Sequence, residues 1–225
     1  MNFSTCTACG ADLGKPGVLC PVCADRHDRE SRARDRLERL DKIRANLDSI
    51  LAGAGVLARE RAASFDTLAV DAANRRAVDA ARAWAENPTG FFYLAGDAGR
   101  GKSWLMAAML RERVLLGESA LWLRETDLIE RVYSGQNNDS LDRMRKIKTV
   151  RLLAVDDLGT GKVTDRLEEL IYSILDFRHG AMLPTILTGN LDMTGVAARY
   201  GSRVASRLST GQVVILSGPD RRLTK

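Results

Sequence analysis

The stretch YLAGDAGRGKSWL, Tyr93 to Leu105, sets three glycines, an aspartate, an arginine and a lysine directly behind an apolar run. Such a loop adds nothing to a packed core, and it suits a bound polyphosphate. Gly96, Gly101, Lys102 and Ser103 fit the pattern G-x-x-x-x-G-K-[ST], with Asp97, Ala98, Gly99 and Arg100 between them. Upstream, FFYLA (Phe91 to Ala95) is short, apolar and aromatic, and reads as a buried strand. Downstream, SWLMAAMLRERVLL (Ser103 to Leu116) is rich in helix formers and all but free of breakers. Strand, glycine loop and helix, in that order, are the context of a phosphate-binding loop. Its backbone N–H groups turn inward onto phosphate oxygens, and the helix N-terminus adds partial positive charge. Lys102 then reaches the β- and γ-phosphates, and the Ser103 hydroxyl binds Mg²⁺.

A phosphate loop alone says only "nucleotide", so the ends of the other strands matter. RLLAVDDLG (Arg151 to Gly159) is an apolar strand ending in two aspartates. Asp156 is expected to hold the Mg²⁺ shell, and Asp157 to orient or deprotonate the attacking water. LPTILTGNL (Leu183 to Leu191) is a second apolar strand, ending in Thr188 and Asn190; an amide there can hold the lytic water or touch the γ-phosphate. Between them, Leu167, Leu170, Ile171, Ile174 and Leu175 recur on one helical face. ALWLRE (Ala120 to Glu125) and QVVILSG (Gln212 to Gly218) add two more strand candidates. Strands alternating with helices predict an α/β fold, a parallel sheet with helices on both faces and ligands at the carboxyl ends of the strands. Arg203 and Arg207 share one face of a short helix at i,i+4; they are either solvated charges or groups aimed at a neighbouring subunit's γ-phosphate. Arg221 and Arg222 follow the last strand candidate.

The 225 residues, 45% hydrophobic and 28% charged, suit one medium domain with a small appendage. No run approaches the ~18 apolar residues of a membrane span, and MNFSTCTACG does not read as a secretory signal; a cytoplasmic location with no membrane partner is expected. The net charge of +5 permits a nucleic-acid partner without requiring one. All four cysteines fall in the first 23 residues as Cys6-x2-Cys9 and Cys20-x2-Cys23. Two facing knuckles supply four thiolates for tetrahedral Zn²⁺, and a segment this short needs the metal to fold; disulfides are the alternative and do not suit a cytosolic chain. The four cysteines already close the site, so His27 reads as a solvated helix residue. From Asp25 to about Leu51 acid-before-base pairs at i,i+4 predict a charged helix, with Leu40, Ile43, Leu47 and Ile50 as a narrow seam. Ala52 to Ser64 reads as a linker. The expected division is a zinc module over 1–24, a charged helix and linker over 25–64, and an ATPase domain over 65–225.

Taken together, SFDTL, YLAGDAGRGKSWL, LLAVDDLG, PTILTGN, SRVASRL and GPDRR, in this order between Phe65 and Arg222, resemble the AAA+ helicase loaders of the DnaC/DnaI type and the related IstB transposition helpers. An N-terminal zinc module ahead of the ATPase is similar to the DnaI-type arrangement. The resemblance implies an AAA+ P-loop NTPase that lacks the C-terminal helical lid, binds ATP or ADP with Mg²⁺, and turns over slowly with stimulation by partner or DNA. It gives Asn190 the sensor 1 role, matches Arg207 to the arginine finger with Arg203 beside it, and sets Arg222 near a nucleotide-contacting arginine, although the text here reads DRR rather than SYR. The acidic pair is Asp-Asp where many relatives carry Asp-Glu, which argues for weak hydrolysis. The implied job is to hold a ring-shaped, DnaB-type replicative helicase and deliver it to single-stranded DNA, with ATP-dependent self-assembly. For DNA contact the sequence offers Tyr133 to Arg151, with Arg143, Arg145, Lys146, Lys148 and Arg151 around Tyr133. A helper of a transposase and a nucleotide-switched interaction protein with little hydrolysis are the rival readings.

Overall fold

The computed structural model describes residues 5–13, 19–134, 139–162 and 164–222. The chain divides into two compact units, Met1–Ala45 and Asn46–Lys225.

In the first unit, Cys6 and Cys9 sit in a tight turn. The Gly10 N–H donates to Cys6 O and the Cys6 N–H to Ala11 O, each at 2.8 Å, and Thr5 pairs with Asp12 as an antiparallel bridge. Helix α1, Pro21–Ala45, follows. It begins ahead of the expected Asp25, because proline suits the first helical position and the Ala24 N–H already bonds Cys20 O. The second cysteine pair is therefore not a second knuckle: Cys20 precedes the helix and Cys23 lies in its first turn. Cys23 is the buried residue of α1, Leu40 and Ile43 of the expected seam are half-buried, and most of the rest is exposed. Four residues of the expected glycine- and proline-bearing turn, 14–17, lie outside the described residues.

The expected charged helix does not run unbroken to Leu51. It stops at Ala45, and after Asn46 a short helix, α2 (Leu47–Gly53), belongs to the second unit. The stretch read as a linker is not one either. Within it Ala54, Val56 and Ala63 are buried, as are Leu51 and Phe65 at its edges, and Ala54 O accepts the Trp122 N–H at 2.7 Å. Apolar residues spaced irregularly carry no helical or strand period, so their burial left no pattern to read.

The sheet has five strands: β1 (Phe91–Ala95), β2 (Ala120–Arg124), β3 (Leu152–Leu158), β4 (Thr185–Gly189) and β5 (Gln212–Ile215). All pairings are parallel, in the order β2-β3-β4-β1-β5. β1 lies between β4 and β5 and is buried throughout, as a continuous apolar run in a parallel sheet requires. The helices are α3 (Arg75–Glu86), α4 (Lys102–Leu115), α5 (Leu128–Tyr133), α6 (Asp139–Thr149), α7 (Asp165–Gly180), α8 (Met193–Tyr200) and α9 (Ser202–Ser209). Phe91, Tyr93 and Ala95 of β1 share one core with Leu167, Leu170, Ile171, Ile174 and Leu175 of α7 and with Val196, Val204 and Leu208 of α8 and α9. Each of these α7 residues is at most 3% exposed, so truncating one to alanine costs about 2–5 kcal/mol. No helix among the described residues is long and apolar enough to cross a membrane.

Candidate functional site

The nucleotide-site candidates gather at the carboxyl ends of β1, β3 and β4. The loop after β1 turns into α4 through Gly101, whose φ of +93° is a left-handed conformation that favours glycine. Lys102, 6% exposed, donates from Nζ to Gly96 O at 2.7 Å, Asp97 O at 2.8 Å and Asn190 Oδ1 at 2.8 Å. The last contact joins the phosphate loop to the end of β4. Burial lowers the Lys102 pKa, opposed by the carboxylates of Asp157 and Asp156. The Ser103 hydroxyl donates to Asp156 Oδ1 at 3.0 Å and the Thr188 hydroxyl to the same oxygen at 2.5 Å. Burial pushes the Asp156 carboxyl above its ordinary value, and the Thr188 and Ser103 hydrogen bonds hold it back. A hydroxyl and a buried carboxylate are hard oxygen donors of the kind Mg²⁺ takes, alongside phosphate oxygens and water. Ser103 and Asp156 would hold that ion.

Asp157 departs from strand geometry. Its φ is +58°, its N–H donates to Thr188 Oγ1 at 3.0 Å, and the β3–β4 register breaks between Val155 and Leu158. Two aspartates consecutive in a regular strand would point to opposite faces. The kink lets Asp156 reach Ser103 while Asp157 lines the cavity with Asn190 and Lys102. This cavity, about 700 Å³, also takes in Arg59, Glu60, Leu68, Val78 and Leu216. Arg59 and Glu60 come from the stretch read as a linker.

The two arginines after β5 behave differently. Arg221 lies over the loop: its N–H donates to Gly99 O at 2.9 Å, and its guanidinium pairs with Asp71 at 2.6 Å and bonds Ala69 O at 3.0 Å. The Asn74 N–H, then the Arg221 guanidinium, hold the Asp71 carboxyl below its ordinary value. Arg222 is exposed and lines the same cavity. Gly99 has a φ of +77°, a left-handed conformation that favours glycine, and a Cβ there would also displace the Asp220 carboxylate.

Arg207 is not at its own chain's cavity. Its Nε donates to Asp176 Oδ1 at 2.7 Å, and its guanidinium lies 4.9 Å from the Tyr172 ring centroid, with that of Arg203 at 5.9 Å. It is thus a partly buried arginine held by α7, not a free surface charge. In the basic stretch, residues 135–138 lie outside the described residues. Arg143 bonds Val132 O, Lys148 bonds Ser173 Oγ and Arg151 pairs with Glu118, which leaves Arg145 and Lys146 as its exposed, unengaged cations among the described residues. Arg166 stacks on Tyr133 at 3.7 Å.

One buried group had no sequence signal. Glu125, 0% exposed, accepts from the N–H groups of Gly159, Thr160 and Gly161 at 3.0–3.1 Å through Oε2, and from the Tyr200 hydroxyl through Oε1. It fixes the loop that follows the two aspartates, and Thr160 of that loop lines the cavity.

In the other unit, the sulfurs of Cys6, Cys9, Cys20 and Cys23 lie within 4.8 Å of one another. No disulfide joins them. A tetrahedral zinc with Zn–S near 2.3 Å separates its sulfurs by about 3.8 Å; Cys9 and Cys20 stand 3.7 Å apart. Backbone N–H groups, that of Cys20 foremost, hold the Cys6 thiol down at about 6. Hydrogen bonds with the Cys9 and Cys20 sulfurs push Cys23 up to about 12. A divalent cation bound here would take the four sulfurs as thiolates and displace their protons to solvent, and the sulfur spacing fits zinc.

A phosphate loop on a five-stranded parallel sheet, faced by a strand-end acidic pair and a strand-end asparagine, makes this a P-loop NTPase of the AAA+ class. Residues 24–207 match the family model described as IstB-like ATP binding protein, and the chain belongs to that family. It is also similar to the curated "Replicative helicase loader DnaC" of Buchnera aphidicola subsp. Baizongia pistaciae, 30% identical over 131 residues. That match takes in 56% of this chain and spans about half, 53%, of the relative's length. Among solved structures, "Crystal Structure of the DnaI" is 26% identical at a TM-score of 0.62, covering 72% of this chain and 91% of that one. "Crystal structure of the DnaC helicase loader" shares the fold, at 23% identity and a TM-score of 0.65, over 72% of this chain and 100% of that one.

Proposed function

We propose that this protein is an ATP-dependent loader that grips a ring-shaped replicative helicase and delivers it to single-stranded DNA. The observation that carries the reading is the junction of Lys102 with Asn190 and of Ser103 with Asp156 and Thr188, in a chain similar to proteins named as replicative helicase loaders. On this reading ATP binds with its phosphates on the loop from Gly96 to Ser103, and Mg²⁺ joins Ser103 and Asp156. Asp157 orients the lytic water, Asn190 senses the γ-phosphate, and Arg207 with Arg203 completes a neighbour's site. Arg222 contacts the nucleotide, and Arg145 and Lys146 are the cations left for DNA phosphates. Hydrolysis is weak, because the shorter Asp157 stands where a glutamate would reach further. The unit Met1–Ala45, with zinc on its four cysteines, grips the helicase.

The test is co-purification with the host's replicative helicase, with and without residues 1–45, together with steady-state ATP turnover with and without single-stranded DNA. Retention by the full chain and its loss on truncation are expected. A chain that never retains the helicase in any nucleotide state sinks the reading. The family description favours one rival, an ATPase helper of a transposase; preference for duplex DNA and a transposase over the helicase would support that instead. Partner binding that responds to ATP with no turnover at all would mark a nucleotide-switched interaction protein.

A further inference from the structure

Glu60 lines the cavity but has no part in holding phosphate or Mg²⁺. It lies in a tight turn, its N–H bonding Leu57 O at 3.0 Å, and it is 1% exposed. A buried carboxylate is costly unless its oxygens find partners. One does: Oε1 accepts the Arg59 Nε–H. Oε2 is buried and has no partner among the described residues. Arg59 and Glu60 both line the nucleotide cavity, together with Leu68, Val78 and Leu216. Lys102 and Ser103 fix the phosphate end, so the wall built from outside the loop is left for ribose and base. Apolar walls hold any purine alike, whereas a buried hydrogen-bonding group discriminates strongly between purines that do and do not match it.

We infer that Glu60 reads the base: its free Oε2 accepts a hydrogen bond from the exocyclic 6-amino group of adenine. With Oε1 held by Arg59, the carboxylate offers a single acceptor. Adenine presents an amino donor at that position and guanine a carbonyl oxygen, which an anionic oxygen repels. Taking the adjacent donors of guanine as a fork would need both carboxylate oxygens. The inference rests on reading the cavity as the nucleotide site and adds which base it selects.

The test is calorimetric titration of the full chain with ATP, GTP and purine riboside triphosphate, which lacks the 6-amino group. The wild type is expected to bind ATP about tenfold or more tighter than either, the size of one charge-assisted hydrogen bond. Glu60→Gln keeps the shape and can turn a donor toward guanine O6, so GTP should come within a few-fold of ATP. Glu60→Leu should bring ATP down to purine riboside triphosphate, with thermal melting checking that each variant folds. Unchanged preference in both folded variants overturns the inference, as does a wild type that binds ATP and purine riboside triphosphate equally, a comparison that stands even if the variants do not fold. A wild type that binds no nucleotide removes the underlying reading of the cavity as well. Selectivity that does not pass through Glu60 removes only the inference.

Discussion

Asp157 is where backbone and chemistry meet. A non-glycine residue in the left-handed region costs on the order of 1–3 kcal/mol and persists only where its surroundings hold it. Thr188 supplies that hold: it accepts from the Asp157 N–H and donates to Asp156, so one hydroxyl shapes both aspartates. On the proposed reading, in which the side chain acts on water only in the transition state, Asp157→Asn should keep nucleotide binding and lower hydrolysis by about a hundredfold or more. Lys102→Ala should instead weaken ATP binding about tenfold to a hundredfold through lost charge-assisted contacts. Direct titration and single-turnover assays separate the two. Asp156 adds a pH dependence. Its folded-state value lies above the ordinary one, so its charge carries a cost that is absent at low pH and grows as pH rises through that value; Mg²⁺ held there would offset it. Protons should therefore compete with Mg²⁺ at higher pH than at an exposed aspartate. Thr188→Val, which removes a hydrogen bond that holds the carboxyl down, should move the midpoint of Mg²⁺-dependent nucleotide binding further up; an unchanged midpoint would take Thr188 out of this role.

Among the elements, the Cys6–Cys9 turn and the first turn of α1 would depend on each other if zinc joins them. Cys6 and Cys9 are held by a turn and Cys20 and Cys23 by a helix start, and little apolar surface is buried between them. On the proposed zinc site, metal binding would supply most of the folding free energy of this segment. Cys23→Ser should release about one zinc per chain and expose the first 20 or so residues to proteolysis, leaving nucleotide binding in place; full metal retention would contradict the ligand set. A second element is stapled without any metal. Arg178 of α7, 0% exposed, donates to the carbonyls of Ile147, Lys148 and Val150 at the end of α6, and to Pro184 O and Thr185 Oγ1 at the entrance of β4. Burial lowers its pKa to about 9. Arg178→Met strands those carbonyls and should cost about 2–5 kcal/mol by chemical denaturation. The phosphate loop, the acidic strand end and the α7 stripe were legible because each is a short pattern with its own period. Glu125 and its partners Gly159 and Tyr200, the kink at Asp157 and the cavity wall from Arg59 to Val78 were not. Their contacts join residues tens of positions apart, and nothing local marks them. Pro21 was the one overlooked local signal, a helix start that moved Cys23 into α1.

At the scale of the whole molecule, Arg207 on the proposed reading decides whether one chain is a complete enzyme. It is absent from its own chain's nucleotide cavity, and its guanidinium is committed to Asp176 and Tyr172. Asp176 is 46% exposed, so this ion pair holds Arg207 by no more than about 1 kcal/mol. A γ-phosphate, with more charge and several oxygens to fork onto, would outcompete it. On the proposed reading, one subunit binds ATP through Lys102, Ser103 and Asp156, and its neighbour completes the site with Arg207. Arg207→Ala should leave the chain folded and able to bind ATP. It should lower turnover at least about tenfold, less than the full worth of a finger in fast enzymes, and weaken ATP-dependent assembly on single-stranded DNA. Asp176→Asn, which frees the guanidinium, should change both in the opposite direction. Mixing Arg207→Ala with Lys102→Ala subunits is the decisive measurement: head-to-tail assembly makes some interfaces that pair an intact loop with an intact arginine. Partial recovery of turnover across mixing ratios shows action between subunits. No recovery at any ratio, with both variants folded and assembling, leaves Arg207 as a clasp between α7 and α9 and nothing more.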